Sequence, residues 1–316
     1  MRTVTLPDAD TLSAAGEVVR RFLSPTPITP ASGLGADIVF KLETLQPTGS
    51  FKVRGGLAAV AAAQRDEPGV PMVAASAGNH GLGVAFAADR LGVEATVVVA
   101  ETASPAKVRA LEQFSVRLVR FGRSYDEAEA RALELAAAGG RFLSPYNDPD
   151  VVAGQASLGE ELASQVPNLA TVILPVGGGG LISGVSLALA TRGVRIVGVE
   201  PERSNAMTAA FRADGTPVVL ESTMADGLAG SIEEGSITVD LVRRHVDDMA
   251  TVSEAEMADA MRVLAFDHGL VVEASGSVGV AALRAGRIKP DQGGTTVVVL
   301  TGRNIAPDLL VRVLGG

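Results

Sequence analysis

The chain contains no cysteine, which excludes disulfides, thiolate catalysis and cysteine-ligated metals. Tryptophan is absent as well, and aromatic residues make up only 3%. Hydrophobic residues nevertheless account for 47%, so alanine, valine, leucine and glycine must fill the core. The 316 residues suffice for two compact lobes or one large domain. No apolar run reaches the roughly 18 residues that a membrane span requires. The opening residues MRTVTLPDAD lack the charged-then-apolar order of a signal peptide, so a soluble, cytoplasmic protein is the expectation. Basic tracts are missing and the formal net charge is −9. Nucleic-acid binding is therefore disfavoured, because phosphate neutralisation supplies most of that affinity. Lysine is scarce too: among 27 basic residues it occurs only at Lys41, Lys52, Lys107 and Lys289. Arginine serves as the general surface cation, and a lysine set among glycine and serine stands out.

What is present is a regular alternation of short apolar strands with alanine-rich helical stretches. Strands are expected at 38–42, 72–75, 95–99, 117–120, 171–175, 196–200 and 295–300. Helices are expected at 55–63, 81–91, 105–113, 125–138, 151–165, 181–191 and 254–267. Ser253 and Glu256 form a capping-box pattern at the start of the last of these. The alternation predicts an α/β fold with parallel sheets flanked by helices. No repeat or long linker interrupts it, so a second lobe is expected as an insertion within the first. Ligands in such folds gather at the carboxyl ends of strands, which directs attention to the glycine-rich segments that follow strands.

Four segments carry candidate chemistry. In Lys41–Gly56, Pro47 and Gly49 turn the chain and Lys52 falls in the first turn of a helix. The positive end of the helix dipole and nearby apolar groups disfavour an ammonium there and lower its pKa, which suits a lysine that forms an imine and acts as a base. By itself the segment fits an ordinary helix-start lysine equally well. In Pro175–Gly184, Gly177, Gly178, Gly179 and Gly180 follow an apolar strand and open a helix. Their N–H groups can converge on a phosphate, and the spacing matches neither a P-loop nor a dinucleotide fingerprint; the alternative is a tight strand–helix turn. In Ser76-Ala-Gly-Asn-His80, a hydroxyl, an amide and an imidazole suit a carboxylate or a phenolic oxygen. In Val299–Asn304, Thr301 can bond a buried heteroatom, or the segment is simply a strand-ending turn. His245 and His268 lie in helical, charged contexts and receive no role.

In order and spacing these segments resemble the fold-type II pyridoxal 5′-phosphate (PLP) enzymes, specifically the serine/threonine dehydratase and serine racemase group. The likeness runs from Thr26-Pro-Ile to the last strand and includes Tyr146–Gln155 and Met224-Ala-Asp-Gly227. Cysteine synthases usually read Ser-Val-Lys-Asp-Arg, and threonine synthases Ser-Phe-Lys-Asp-Arg, at the first segment; here Lys52 is followed by Val53-Arg54. The resemblance implies a tryptophan synthase β-like architecture of two open, twisted, mostly parallel sheets, with a discontinuous large domain (1–68 and 148–316) and a small inserted domain (69–147). It implies that Lys52 holds PLP as an imine and that Phe51 packs on the ring. Gly177–Gly180 and Leu181 would cradle the phosphate, Asn79 would bond the phenolic oxygen, Thr301 would face the ring nitrogen, and Gly227 and Glu273 would line the other edge. Ser76, Ala77, Gly78, Asn79 and His80 would receive the substrate carboxylate. A neutral hydroxyl at the ring nitrogen does not force its protonation and biases towards β-elimination. The implied reaction converts L-threonine or L-serine to a 2-oxo acid and ammonia, in a homodimer or homotetramer.

Three departures from the group's pattern bear on that expectation. Racemases place a serine before Gly-Asn-His as the second base; here it is Ala77, so dehydration is expected over racemisation. The group's cation site uses acidic residues near Glu200, but Ser204 and Ala206 take the later ligand positions. Glu200 is thus left as a single candidate ligand for a mono- or divalent cation. The usual Ser-Gly-Gly-Asn is Thr301-Gly-Arg-Asn304. Arg303 is either a surface arginine or a partner for an acidic side chain, the latter pointing to threo-3-hydroxyaspartate, as in some hydroxyectoine-utilisation dehydratases. The chain closes at Gly316 without the regulatory domain of biosynthetic threonine dehydratases, which suggests a catabolic or specialised role. Competing readings are a serine racemase, a β-replacement synthase and a non-enzymatic PLP-binding scaffold.

Overall fold

The computed structural model describes residues 4–290 and 293–316; the first three residues of the N-terminal stretch read above lie outside these. The strands are β1 (Ile28–Pro30), β2 (Ile38–Leu42), β3 (Met72–Ala75), β4 (Ala95–Val99), β5 (Arg117–Arg120), β6 (Arg141–Phe142), β7 (Leu169–Pro175), β8 (Arg195–Pro201), β9 (Asp248–Val252) and β10 (Thr295–Leu300). The helices are α1 (Ala9–Phe22), α2 (Lys52–Asp66), α3 (Asn79–Leu91), α4 (Pro105–Leu111), α5 (Tyr125–Ala137), α6 (Pro149–Gln165), α7 (Gly180–Leu189), α8 (Ala206–Arg212), α9 (Ile237–His245), α10 (Glu254–Phe266), α11 (Ala274–Arg284) and α12 (Pro307–Leu314).

Two sheets result. The larger runs β1-β2-β10-β7-β8-β9 and is parallel except for the edge strand β1, which pairs antiparallel with β2. The smaller runs β5-β4-β3-β6 and is wholly parallel. All strands of the smaller sheet fall in the chain between β2 and β7, and β10 returns to the centre of the larger one.

Central strands buried on both faces explain the near-continuous Val/Ile/Leu runs. In β10, Val297 and Val299 face a core shared with Leu158, Leu162, Ile182 and Val185 of α6 and α7. Val298 and Leu300 face the opposite core with Met257, Ala260, Leu264, Val278 and Ala281 of α10 and α11. A third core joins Leu57, Val60 and Ala63 of α2 to Met72 and Ala74 of β3 and to Val84 and Phe86 of α3. Helix α2 thus packs against both α3 and α6, sharing one core with β3 and α3 although it precedes them in the chain. The predicted capping box is formed, with Ser253 Oγ accepting from Glu256 N and the Glu256 carboxylate accepting from Ser253 N.

Some elements have no counterpart in the sequence reading. Helix α11, ASGSVGVAALR, is rich in glycine and serine, which disfavour helices in isolation. The small residues are there for contact: a Cβ on Gly276 would lie 2.8 Å from Val272 Cγ1, and one on Gly279 2.8 Å from Val298 Cγ1. Strands β1, β6 and β9 and helices α1, α8, α9 and α12 likewise have no counterpart there. His268 is not helical as expected; it follows α10 and stacks edge-on against Phe40 at 5.0 Å.

Candidate active site

The segments singled out by sequence all leave strands at their carboxyl ends and open onto one cavity of about 1790 Å³. Every residue expected to touch cofactor or substrate, from Phe51 and Lys52 to Thr301, lines it.

Lys52 enters from the turn that follows β2. Gly49 N donates to Gln46 O (2.8 Å), and Gly49 adopts φ +75°, a conformation that favours glycine. Lys52 is then the first residue of α2. Its Nζ donates to Pro145 O (2.8 Å) and stands 5.3 Å from the centroid of the Phe51 ring. No carboxylate among the described residues pairs with it, and burial pushes its pKa down to about 8.

Strand β7 leads to the four glycines. Among the described residues, no protein acceptor meets the N–H groups of Gly177, Gly178 and Gly179. Gly180 and Leu181 open α7, where a helix leaves its first N–H groups free. The loop is held from behind: Thr238 Oγ1 donates to Gly178 O (2.7 Å). The Tyr146 ring lies so close that a Cβ on Gly178 would sit 2.2 Å from Cδ1, and Gly179 has φ +84°. Tyr146 is itself anchored, its hydroxyl accepting from Glu233 N (2.9 Å). This is a cradle of backbone N–H donors at a helix N-terminus, the donor chemistry that a phosphate requires. The buried amine and the cradle open on the same cavity, so these residues fit PLP.

The third wall comes from the β3–α3 connection. Gly78 N donates to Ser76 Oγ (3.1 Å). The Ala77 methyl packs on the apolar group that includes Leu82 and Val97, so nothing ionisable stands at that position. His80 is buried, with Nε2 2.9 Å from Leu143 O. A carbonyl only accepts, so Nε2 carries the hydrogen. Burial, then the charge on Lys52, pushes the His80 pKa down to about 3; the ring is neutral and brings no positive charge to a carboxylate.

Asn79 is the first residue of α3. Its Nδ2 donates to Glu273 Oε1 (2.7 Å) and its Oδ1 accepts from Asn304 Nδ2 (2.7 Å). The Glu273 carboxyl is pushed up to about 7 by burial and then by the charge of Asp226. Gly227 N donates to Ser275 Oγ (3.1 Å). Thr301, just past β10, is 2% exposed and accepts at its carbonyl from Phe51 N (3.0 Å).

Two candidates lie elsewhere. Arg303 does not line the cavity; it is exposed, and its guanidinium donates to Thr44 O. The basis for linking it to an acidic substrate side chain is thereby removed. Glu200 is buried, and its two oxygens accept from Met207 N (3.0 Å) and Thr208 N (2.5 Å), capping α8. Burial pushes it up to about 7. No group of three or more histidine, aspartate or glutamate side chains gathers among the described residues. Pro145, Tyr146 and Asn304, unassigned from sequence, join the cavity. The Tyr146–Asp150 stretch reads locally as a helix start, and only the tertiary contact with Gly178 reveals the other use of Tyr146.

The sequence matches the family described as "Pyridoxal-phosphate dependent enzyme" over residues 19–302. It is 39% identical over 285 residues to the L-threonine ammonia-lyase of Thermotoga maritima, covering 89% of this chain and 70% of that protein. The fold superposes on maize serine racemase with a TM-score of 0.89 at 27% identity, covering 98% of this chain and 97% of the other. It superposes on the processed form of threonine deaminase isoform 2 from Solanum lycopersicum with a TM-score of 0.86 at 29% identity, covering 99% and 90%. Together with the cradle and the buried lysine, these likenesses place the chain in the pyridoxal-phosphate-dependent enzyme family, with the fold-type II architecture.

Proposed function

We propose that the chain is an ammonia-lyase that converts L-threonine and L-serine to 2-oxobutanoate and pyruvate, with release of ammonia. One observation carries the reading within the family: the cavity is lined by one buried amine, Lys52 Nζ, and by Ala77 where the resembled racemases carry a serine as second base. PLP, held by Lys52 and by the N–H groups of Gly177–Leu181, supplies the electron sink that makes a substrate Cα–H acidic. The free N–H groups at the start of α3 and Ser76 Oγ bind the substrate carboxylate, and Asn79 and Thr301 orient the ring through neutral hydrogen-bonding groups. Lys52 Nζ, neutral in half its molecules near pH 8, takes the proton from substrate Cα. The Cβ–O bond breaks and the hydroxyl leaves as water, taking up a proton equivalent to the one lost from Cα; the released unsaturated amine tautomerises and is hydrolysed by a second water to the 2-oxo acid and ammonia. Returning a proton to the opposite side of Cα needs a second acid, which Ala77 does not provide.

The reading extends to a cytoplasmic homodimer or homotetramer divided into residues 1–68 with 148–316 and an insertion at 69–147. The confinement of β3–β6 to that interval supports the division, and no helix among the described residues is long and apolar enough to cross a membrane. The test of the activity is a comparison of rates on L-serine. Pyruvate formation should far exceed interconversion of L- and D-serine; equal rates would overturn the reading.

A further inference from the structure

Asn79 sits at the centre of a hydrogen-bond relay whose direction is forced by groups that can act in only one way. At one end is the Thr48 carbonyl, which can only accept. Asn304 Nδ2 donates to it at 2.8 Å, so the NH₂ end of Asn304 is fixed there. The second hydrogen on that nitrogen points to Asn79, at 2.7 Å. The Asn79 atom that meets it must accept, so it is Oδ1. Nδ2 therefore faces the other way and donates one hydrogen to Glu273 Oε1 at 2.7 Å. One N–H of Asn79 remains for the cavity that Asn79 lines.

Two glycines make room for the relay. A Cβ on Gly49, at φ +75°, would lie 2.6 Å from Asn304 Oδ1. A Cβ on Gly302 would lie 2.2 Å from Glu273 Oε1 and 3.3 Å from Asn79 Nδ2. The two segments are tied further by the bridge between Ser50 and Gly302 and by Arg303 N donating to Gly49 O (3.0 Å). The turn before Lys52 and the turn after β10 thus build one device that acts on a residue of α3.

We propose that Asn304 is a positioning residue: by donating to Asn79 Oδ1 from an anchor on Thr48 O, it holds the Asn79 amide so that an N–H, and not the carbonyl, is presented to the phenolic oxygen of the cofactor. This rests on the function proposed above. An N–H donated to that oxygen stabilises its negative charge, so the proton shared between the oxygen and the nitrogen joined to Lys52 is held less tightly. Without Asn304, Glu273 alone orients the amide, so its Oδ1 can turn towards the oxygen more often and the proton is held more tightly.

The experiment is a pH titration of the visible absorbance of the PLP-loaded protein in four forms: wild type, Asn304→Ala, Asn79→Ala and the double variant. Thermal unfolding of each form is followed alongside. Asn304→Ala is expected to move the titration upward by on the order of half a unit or more. In the Asn79→Ala background the same substitution should add no shift, because the effect passes through Asn79. A purely structural role would lower Tm in both backgrounds and leave the titration where it was. No shift from Asn304→Ala, or an equal shift in both backgrounds, overturns the proposal. If Asn304→Ala does not fold, Asn304→Ser carries the same cycle, since its short hydroxyl cannot span from Thr48 O to Asn79. A wild-type protein that stays colourless with added PLP overturns the cofactor reading itself, and this proposal with it.

Discussion

At the level of single residues, the site depends on an amine whose pKa burial lowers and on glycines kept bare by contact. Only the unprotonated form of Lys52 can attack the PLP aldehyde, and its pKa is lowered to about 8. The rate of PLP capture by apoprotein should therefore rise about tenfold per unit below that value and level off above it. Stopped-flow absorbance checks this; a rate still climbing between pH 9 and 10 would mark an ordinary solvated lysine. At Gly178, a methyl would meet the anchored Tyr146 ring at 2.2 Å. Gly178→Ala should cost ~1–3 kcal/mol of overpacking and weaken PLP binding about ten- to a hundredfold, as read by cofactor titration. Unchanged affinity would mean the loop has slack. Lys52 and the four glycines were legible because strand, turn and helix are adjacent in the chain. Asn304 and Pro145 were not, because they reach Asn79 and Lys52 only through contacts between segments distant in sequence.

At the scale of elements, the N-terminus of α2 is fixed by charge buried beneath it. The Arg54 guanidinium is fully buried, bonding both oxygens of Glu43 at 2.8 Å and both of Glu161 at 2.7 and 2.9 Å. Lys41 joins at Glu161 Oε2 (2.7 Å). The cluster ties β2, α2 and α6 together two residues beyond Lys52. Arg54→Met leaves the buried Glu43 carboxylate without its cation and should cost about 3–5 kcal/mol by urea unfolding. The exposed Arg131–Glu134 pair contributes at most about 1 kcal/mol, so Arg131→Ala serves as the control. Equal losses would contradict the account. The pH sign follows from Glu43: burial opposes its ionisation, but the charge and hydrogen bonds of Arg54 outweigh burial and hold the carboxyl below its ordinary 4.5. Its contribution is present above pH 4.5 and is lost as pH falls through the lower folded value. Val53-Arg54 was visible in sequence only as a family marker; its ionic partners are the part that required the fold. Helix α11 was hidden for a different reason, since close packing on β10 favours the small residues that helix propensity penalises.

At the scale of the whole molecule, two parallel sheets bring four strand ends to one cavity, and this much follows from the alternation of apolar strands and alanine-rich helices. That α2 packs against both α3 and α6 does not, because only the tertiary fold brings these two helices together on it. The exposed pair of Lys107 on α4 and Asp226 (2.6 Å), both at the cavity, links the two strand sets across it. In the function proposed, this cavity joins a PLP-bound lysine to elimination without inversion. The most direct measurement is the release of 2-oxobutanoate and ammonia from L-threonine by the PLP-loaded wild type and by Lys52→Ala. Equimolar release by the yellow wild type and none above background by the variant are expected. A wild type that binds PLP yet releases no 2-oxo acid from L-threonine or L-serine, or a Lys52→Ala protein as active as wild type, would contradict that function.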